Sequence, residues 1–273
     1  MHTDIKNLTI ETFSYCNAEC IICPNSNLNY RRKVHLMSLY DFEYIIRLFP
    51  KLNEVTLCGC YEPLADSRLS EIFDIIRKVN SNINVRIFSN GSLLNKWEEF
   101  LLNNENLSSI IFSVHGFSPK IYNELMKNLD RDKIYNNIIH FIEKRQLMKK
   151  TKLKIEISFI RTSLNIHELN IFKEFWKRHL IDNVYNYELM NWNGTLKNYH
   201  NLVDAPKLFS RPCPMYENPL VIDAFGNVVR CCYNFNFTYG NVKNDGLTNY
   251  FTKKRISNTY PDIDCITCDG WKI

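Results

Sequence analysis

The chain has 273 residues, of which 45% are hydrophobic and 13% aromatic, enough for one large domain or one domain with a small appendage. Its formal charge of +5 is scattered as on a solvated surface, which argues against a nucleic-acid partner, and no apolar run is long enough to span a membrane. The polar start, Met1 to Lys6, holds no apolar export segment, so the ten cysteines read as thiols kept reduced in the cytoplasm for metal rather than as disulfides.

Strand-like and helix-like runs alternate along the first 200 residues. Residues 8–13 read as a strand and 38–49 as a helix opened by a Ser38 cap. Strands at 54–58 and 84–88 are followed by helices at 68–79 and 94–102. A strand at 109–114 precedes helical runs at 121–127 and 133–144, and a strand at 153–160 precedes a helix at 166–179. A sixth strand occupies 184–189. Six such repeats predict an α/β fold with a parallel sheet covered by helices, open or closed into a barrel. In either form the chemistry sits at the C-terminal ends of the strands. After residue 200 no further repeat follows, and a boundary is expected within residues 201–211. Beyond it, apolar runs at 220–224 and 228–229 flank Gly226-Asn227 as a hairpin.

Cys16, Cys20 and Cys23 fall on the loop after the first strand, at C-x3-C-x2-C spacing. Three thiolates on one short loop can hold three corners of a cubic iron–sulfur cluster and leave the fourth iron open to a chelating small molecule. A zinc site or disulfide partners are the alternatives, but structural zinc usually takes cysteines in pairs. The loop resembles the signature of the radical S-adenosylmethionine (SAM) enzymes. Ile22 stands where many relatives carry an aromatic residue against adenine, and offers apolar contact without stacking.

Five sites support that loop, and three of them extend the resemblance. Gly59, Glu62 and Pro63 match the family's GGEP motif, whose backbone and Glu receive the SAM amino group; Tyr61 replaces its second Gly. Ser89-Asn90-Gly91 resembles the family's TNG run near the ribose and carboxylate of SAM. It is also a turn signal in its own right. Ser113 opens a run resembling S-x-D-G, with His115 in place of Asp. Arg161, ending the fifth strand, is placed to hold a carboxylate through paired hydrogen bonds, or is a solvated surface residue. The run Met190-Asn191-Trp192-Asn193-Gly194 after the sixth strand suits either a polyol or a packed turn.

Twelve residues separate Cys213 from Gly226, and four more separate that glycine from Cys231; Cys265 and Cys268 form a later C-x2-C pair. Four thiolates bind zinc or a closed [4Fe–4S] cluster. The block resembles the twitch domain, the one-cluster form of the SPASM domain. Cys58, Cys60 and Cys232 are left over. Free cysteines are mostly small buried hydrophobes, but Cys60 and Cys232 could also donate a hydrogen atom to a substrate radical.

The resemblance implies a partial (β/α)6 TIM-like barrel over residues 1–200 and a small hairpin-and-helix iron–sulfur domain over 201–273. It implies two [4Fe–4S] clusters, SAM, a small-molecule substrate and an external one-electron donor of flavodoxin or ferredoxin type. By the family's mechanism, a 5′-deoxyadenosyl radical abstracts hydrogen from an unactivated C–H bond. The cysteine spacing looks like that of the aminocyclitol dehydrogenases of antibiotic biosynthesis. The leading expectation is therefore oxidation of an alcohol on a sugar-like or aminocyclitol substrate. An epimerase, a peptide-modifying maturase and a non-catalytic iron–sulfur or zinc protein are the rivals.

Overall fold

The computed structural model describes residues 4–27, 32–150, 152–203 and 220–256, with side chains described up to residue 252. Six strands alternate with helices in the expected order. They are β1 (Asn7–Ile10), β2 (Glu54–Leu57), β3 (Asn84–Ser89), β4 (Leu107–Ser113), β5 (Lys154–Arg161) and β6 (Asn183–Glu188). The covering helices are α1 (Leu39–Arg47), α2 (Leu69–Val79), α3 (Leu94–Asn103), α4 (Pro119–Leu125), α5 (Arg131–Leu147) and α6 (Leu169–Arg178). Ser38 caps α1, its side chain accepting from the Asp41 N–H at 3.0 Å. That bond satisfies one of the donors a helix start leaves unpaired.

The six strands lie parallel and in chain order. β4 and β5 are buried on both faces over most of their length, as a parallel sheet sandwiched between helices and a filled interior requires. Their core is one cluster running from Leu8 and Ile10 through Phe112, Phe141 and Phe159 to Trp176. This is the mixed α/β partial barrel the repeats predict. Beyond the six repeats come a short helix α7 (Tyr199–Leu202), strands β7 (Leu220–Ile222), β8 (Asn227–Cys231) and β9 (Asn234–Asn241), and helix α8 (Gly246–Ile256).

β7 and β8 form the expected antiparallel hairpin, and β9 extends it. Less expected is where the hairpin goes. β7 pairs in parallel with β1, from Leu8 opposite Leu220 to Ile10 opposite Ile222, so all nine strands form one sheet. The C-terminal strands thus cover the β1 edge that an open barrel would leave unpaired. Cys213, Cys265 and Cys268 lie outside the described residues. No helix among the described residues is long and apolar enough to cross a membrane.

Candidate active site

The C-terminal ends of the strands open on one cavity of about 210 Å³. Cys16, Ala18, Cys20, Ile22 and Cys23 form one wall. The loop that carries them is fastened from four sides. Glu19 and Ile21 donate backbone N–H groups to Lys127 and Leu125, at 3.0 and 2.9 Å, which seats the loop on the end of α4. Asn17 donates to Ser92 at 2.9 Å and accepts from Asn90 at 3.0 Å, joining the loop to the end of β3. The Trp192 indole N–H donates to the Ile22 carbonyl at 3.1 Å, and Asn25 donates to the Cys60 carbonyl.

Burial pushes the Cys16 thiol up to about 12 and the Cys20 thiol well above its usual range. A hydrogen bond with the Cys60 thiol instead holds Cys23 below its ordinary value. Buried sulfurs that would raise one another's pKa as thiolates are chemically suited to a positively charged iron core, which stabilises the thiolate form. Among the described residues no three Cys, His, Asp or Glu side chains gather around a single metal ion; the three sulfurs are instead spread along one wall.

The next strand ends supply the floor. Gly59 passes so close to Glu11 that a Cβ there would lie 2.2 Å from the Glu11 carboxylate, so the position admits only glycine. Tyr61, where the motif's second glycine was expected, is buried, with its hydroxyl 3.3 Å from the Ile10 carbonyl it donates to. Glu62 lines the cavity, yet its carboxylate already accepts three bonds: Leu64 N–H at 3.0 Å, Ser89 hydroxyl at 2.8 Å and Asn90 N–H at 2.7 Å. It locks the β2 end to the β3 end. Burial raises its carboxyl to about 7 despite those donors. Pro63 sits behind it, buried at the head of a single 3₁₀ turn, and does not line the cavity.

Ser89, Asn90 and Ser113 line the cavity as expected. His115 is no surface residue: it is 4% exposed and lines the same space. Its Nδ1 accepts from the Ile160 N–H at 3.1 Å, which leaves the proton on Nε2. Burial depresses its pKa to about 3, so it stays neutral. Ser158, Ile160, Met126, Tyr187, Trp192 and Tyr233 complete the lining. Trp192 meets Tyr233 edge to face at 4.8 Å and sits in a left-handed turn, with φ of 52°.

Two expectations are corrected. Arg161 does not reach the cavity, because β5 and β6 pair it with Glu188, to which its guanidinium donates. Cys60 does not face the cavity either: its thiol is 2% exposed and turned toward Cys23. Cys58, set aside as a core residue, lines the cavity together with Cys232. Burial holds the Cys58 thiol protonated, its pKa pushed up to about 12. Glu11, Arg32, Tyr187 and Tyr233 belong to no motif in the sequence. A carboxylate at the end of a hydrophobic strand, Glu11, was the one signal available.

The radical SAM superfamily profile matches residues 10–151, more than half of the chain. The chain belongs to the radical SAM superfamily. Membership brings SAM and a [4Fe–4S] cluster as cofactors, a dependence on an electron donor, and a small-molecule or peptide substrate. No curated protein sequence matches the chain. Among solved structures it is similar to Streptococcus suis SuiB bound to precursor peptide SuiA, with 17% identity, 98% of this chain and 70% of that one covered, and a TM-score of 0.71. It is also similar to BtrN in complex with AdoMet and 2-DOIA, with 17% identity, coverage of 94% and 88%, and a TM-score of 0.61. A third is native anSMEcpe with bound AdoMet, with 17% identity, coverage of 92% and 82%, and a TM-score of 0.67. These likenesses establish the fold of this radical SAM protein.

Proposed function

We propose that this radical SAM enzyme removes hydrogen from a small, ring-shaped polyol or aminocyclitol and releases a ketone. Cys16, Cys20 and Cys23 hold the [4Fe–4S] cluster in this reading. Ile22, Gly59, Glu62, Ser89, Asn90 and Ser113 receive SAM, with Pro63 setting the turn behind Glu62. The chemistry supplied at that site is homolysis of SAM to a hydrogen-abstracting 5′-deoxyadenosyl radical.

The observation that carries the substrate class is the aromatic character of the cavity. Tyr187, Trp192 and Tyr233 line it, and the only acidic side chain on the cavity among the described residues is Glu62, already bonded to Ser89 and Asn90. Aromatic faces suit the C–H faces of a saturated ring, and an amine on that ring adds cation–π attraction. The Trp192 indole is held by Ile22, so its ring is oriented before substrate arrives. His115 offers a neutral imidazole on the same cavity. Cys213, Cys231, Cys265 and Cys268 would hold a second [4Fe–4S] cluster, which supplies the acceptor for the second electron of an oxidation. BtrN was solved with the small molecule 2-DOIA in place, on the same fold.

An epimerase is the second reading, and a specific observation favours it: two thiols, Cys58 and Cys232, line the cavity. A protonated thiol can return a hydrogen atom to a carbon radical. The deciding experiment runs the reaction in heavy water with ring-deuterated aminocyclitols, using the wild type and the Cys58→Ala and Cys232→Ala proteins. Deuterium passing from substrate into 5′-deoxyadenosine, a ketone product and turnover retained in both variants are expected. A stereoinverted product carrying solvent deuterium, abolished by either substitution, would establish the epimerase instead.

A further inference from the structure

One buried charge pair outside the cavity has no part in the reading above. Glu11 follows the last residue of β1 and is fully buried, and its N–H donates to Ile222 of β7 at 3.0 Å. Arg32, in the segment after the third cysteine, donates to it through two parallel bonds, Nη1 to Oε2 and Nη2 to Oε1, both 2.7 Å. The Cys60 N–H adds a third bond of 2.7 Å to Oε1. Arg32 Nη1 also lies 3.9 Å from Oδ2 of Asp223, in the β7–β8 turn. The guanidinium carbon stands 4.5 Å from the centre of the Phe235 ring on β9.

Asp223 is itself held by the N–H groups of Phe225 and Asn227, at 3.0 and 2.8 Å. One guanidinium, carried on the chain that follows the third cysteine, therefore touches the end of β1 and the C-terminal hairpin. Through Glu11 it also reaches the Gly59–Cys60 backbone, where a Cβ on residue 59 would collide with the Glu11 carboxylate.

We propose that Arg32 and Glu11 are positioning residues that set the distance between the cysteine loop and the Gly59–Cys60 segment, with the docked C-terminal hairpin holding the pair in place. This rests on the reading of those two segments as the cluster and SAM walls. The pair acts through geometry: a bidentate fork on a buried carboxylate fixes both distance and angle, which a lysine at the same place does not. The consequence is that the N-terminal repeats form a competent site only when β7–β9 are docked.

The test uses the full chain, with Arg32→Lys beside Arg145→Lys. Arg145, itself buried, makes an ion pair with the more exposed carboxylate of Asp182, beside the N-terminal end of β5 and away from the cavity. Both variants are expected to lower the thermal midpoint of the metal-free chain. Only Arg32→Lys should weaken SAM binding to the reconstituted protein, by about tenfold, the worth of one charge-assisted hydrogen bond. The titration is followed by the change SAM causes in the electron paramagnetic resonance signal of the reduced cluster. In the metal-free chain, alkylation of Cys60 should be faster in Arg32→Lys than in wild type and unchanged in Arg145→Lys.

Wild-type SAM affinity and unchanged Cys60 alkylation in Arg32→Lys would overturn the proposal. If that variant does not fold, Glu11→Gln combined with Arg32→Gln removes both charges and keeps an acceptor for the Cys60 N–H. Wild-type SAM affinity in that protein overturns the proposal equally. A Cys20→Ala protein separates the two levels of inference. If it keeps the SAM-dependent signal, the reading of the cluster wall fails; if it loses the signal while Arg32→Lys keeps it, the positioning role alone fails.

Discussion

Glu62 shows how much one side chain of this site is asked to do. Its carboxylate ties Ser89 and Asn90 to the β2 end, yet burial raises its carboxyl from 4.5 to about 7. Between those two values the folded chain holds a proton that the unfolded chain has released. Stability therefore falls as pH rises from about 4.5 to 7, and the loss attached to this group is up to ~3 kcal/mol. Urea unfolding of the metal-free chain at pH 5 and pH 7.5 should show that loss, and Glu62→Gln should lack it. Gln keeps one carbonyl for the Asn90 N–H but turns an amide donor toward the remaining partners, so at pH 5 the variant should be less stable than wild type by ~1–3 kcal/mol. Equal pH slopes in the two proteins would assign the dependence to other groups. A bound ammonium beside Glu62 favours its ionised form, so SAM uptake should release a proton near pH 6.

At the scale of elements, the cysteine loop depends on helices that carry no chemistry. α4 begins at the Ser118 cap, and the Glu168 carboxylate accepts from the backbone N–H groups of Phe117, at 2.7 Å, and Ser118, as well as from the Ser118 hydroxyl. Its other end accepts the Glu19 and Ile21 N–H groups of the cysteine loop. Gly116 lies beneath this helix: a Cβ there would stand 2.7 Å from the Tyr122 nitrogen and 2.8 Å from its Cα. Backbone cannot step aside as a flexible side chain can, so Gly116→Ala should cost ~1–3 kcal/mol of stability. It should also weaken SAM binding, because α4 carries the displacement to the loop seated on its far end. Unfolding midpoints and SAM titration of the one variant check both parts; a stability loss with unchanged SAM affinity would show that the loop does not follow the helix.

On the scale of the whole molecule, the sheet is continuous from β6 to β9, and its C-terminal third closes the β1 edge. Four C-terminal cysteines in addition to the three at the N-terminal loop predict about eight irons per chain when the protein is isolated without oxygen, the content of two four-iron clusters. Replacing Cys265 and Cys268 together by Ser should lower this to about four irons and leave SAM cleavage without substrate oxidation. Stoichiometric zinc in place of the second set would reject a second cluster.

Much of this was legible in the chain itself. The six βα repeats appear because the runs are long and their apolar periodicity is strong, and the errors were confined to a few residues at their ends. The gathering of Cys16, Cys20 and Cys23 on one cavity-lining loop was legible because their spacing along the chain is short, whatever packs around it. The Ser38 cap and the Gly226-Asn227 turn are local in the same sense: their geometry depends on a few neighbours. What only the tertiary structure decided is everything set by pairing across the sheet. Arg161 is occupied because the β5–β6 register puts Glu188 beside it. Cys58 rather than Cys60 reaches the cavity because the chain leaves β2 at Leu57 and turns at Gly59, where strand alternation no longer dictates which way a side chain points. Glu11 and Arg32 are 21 positions apart, and Glu11 and Asp223 are separated by most of the chain. Buried charges find their partners through the fold, because only in the fold does desolvation make an unpaired carboxylate costly.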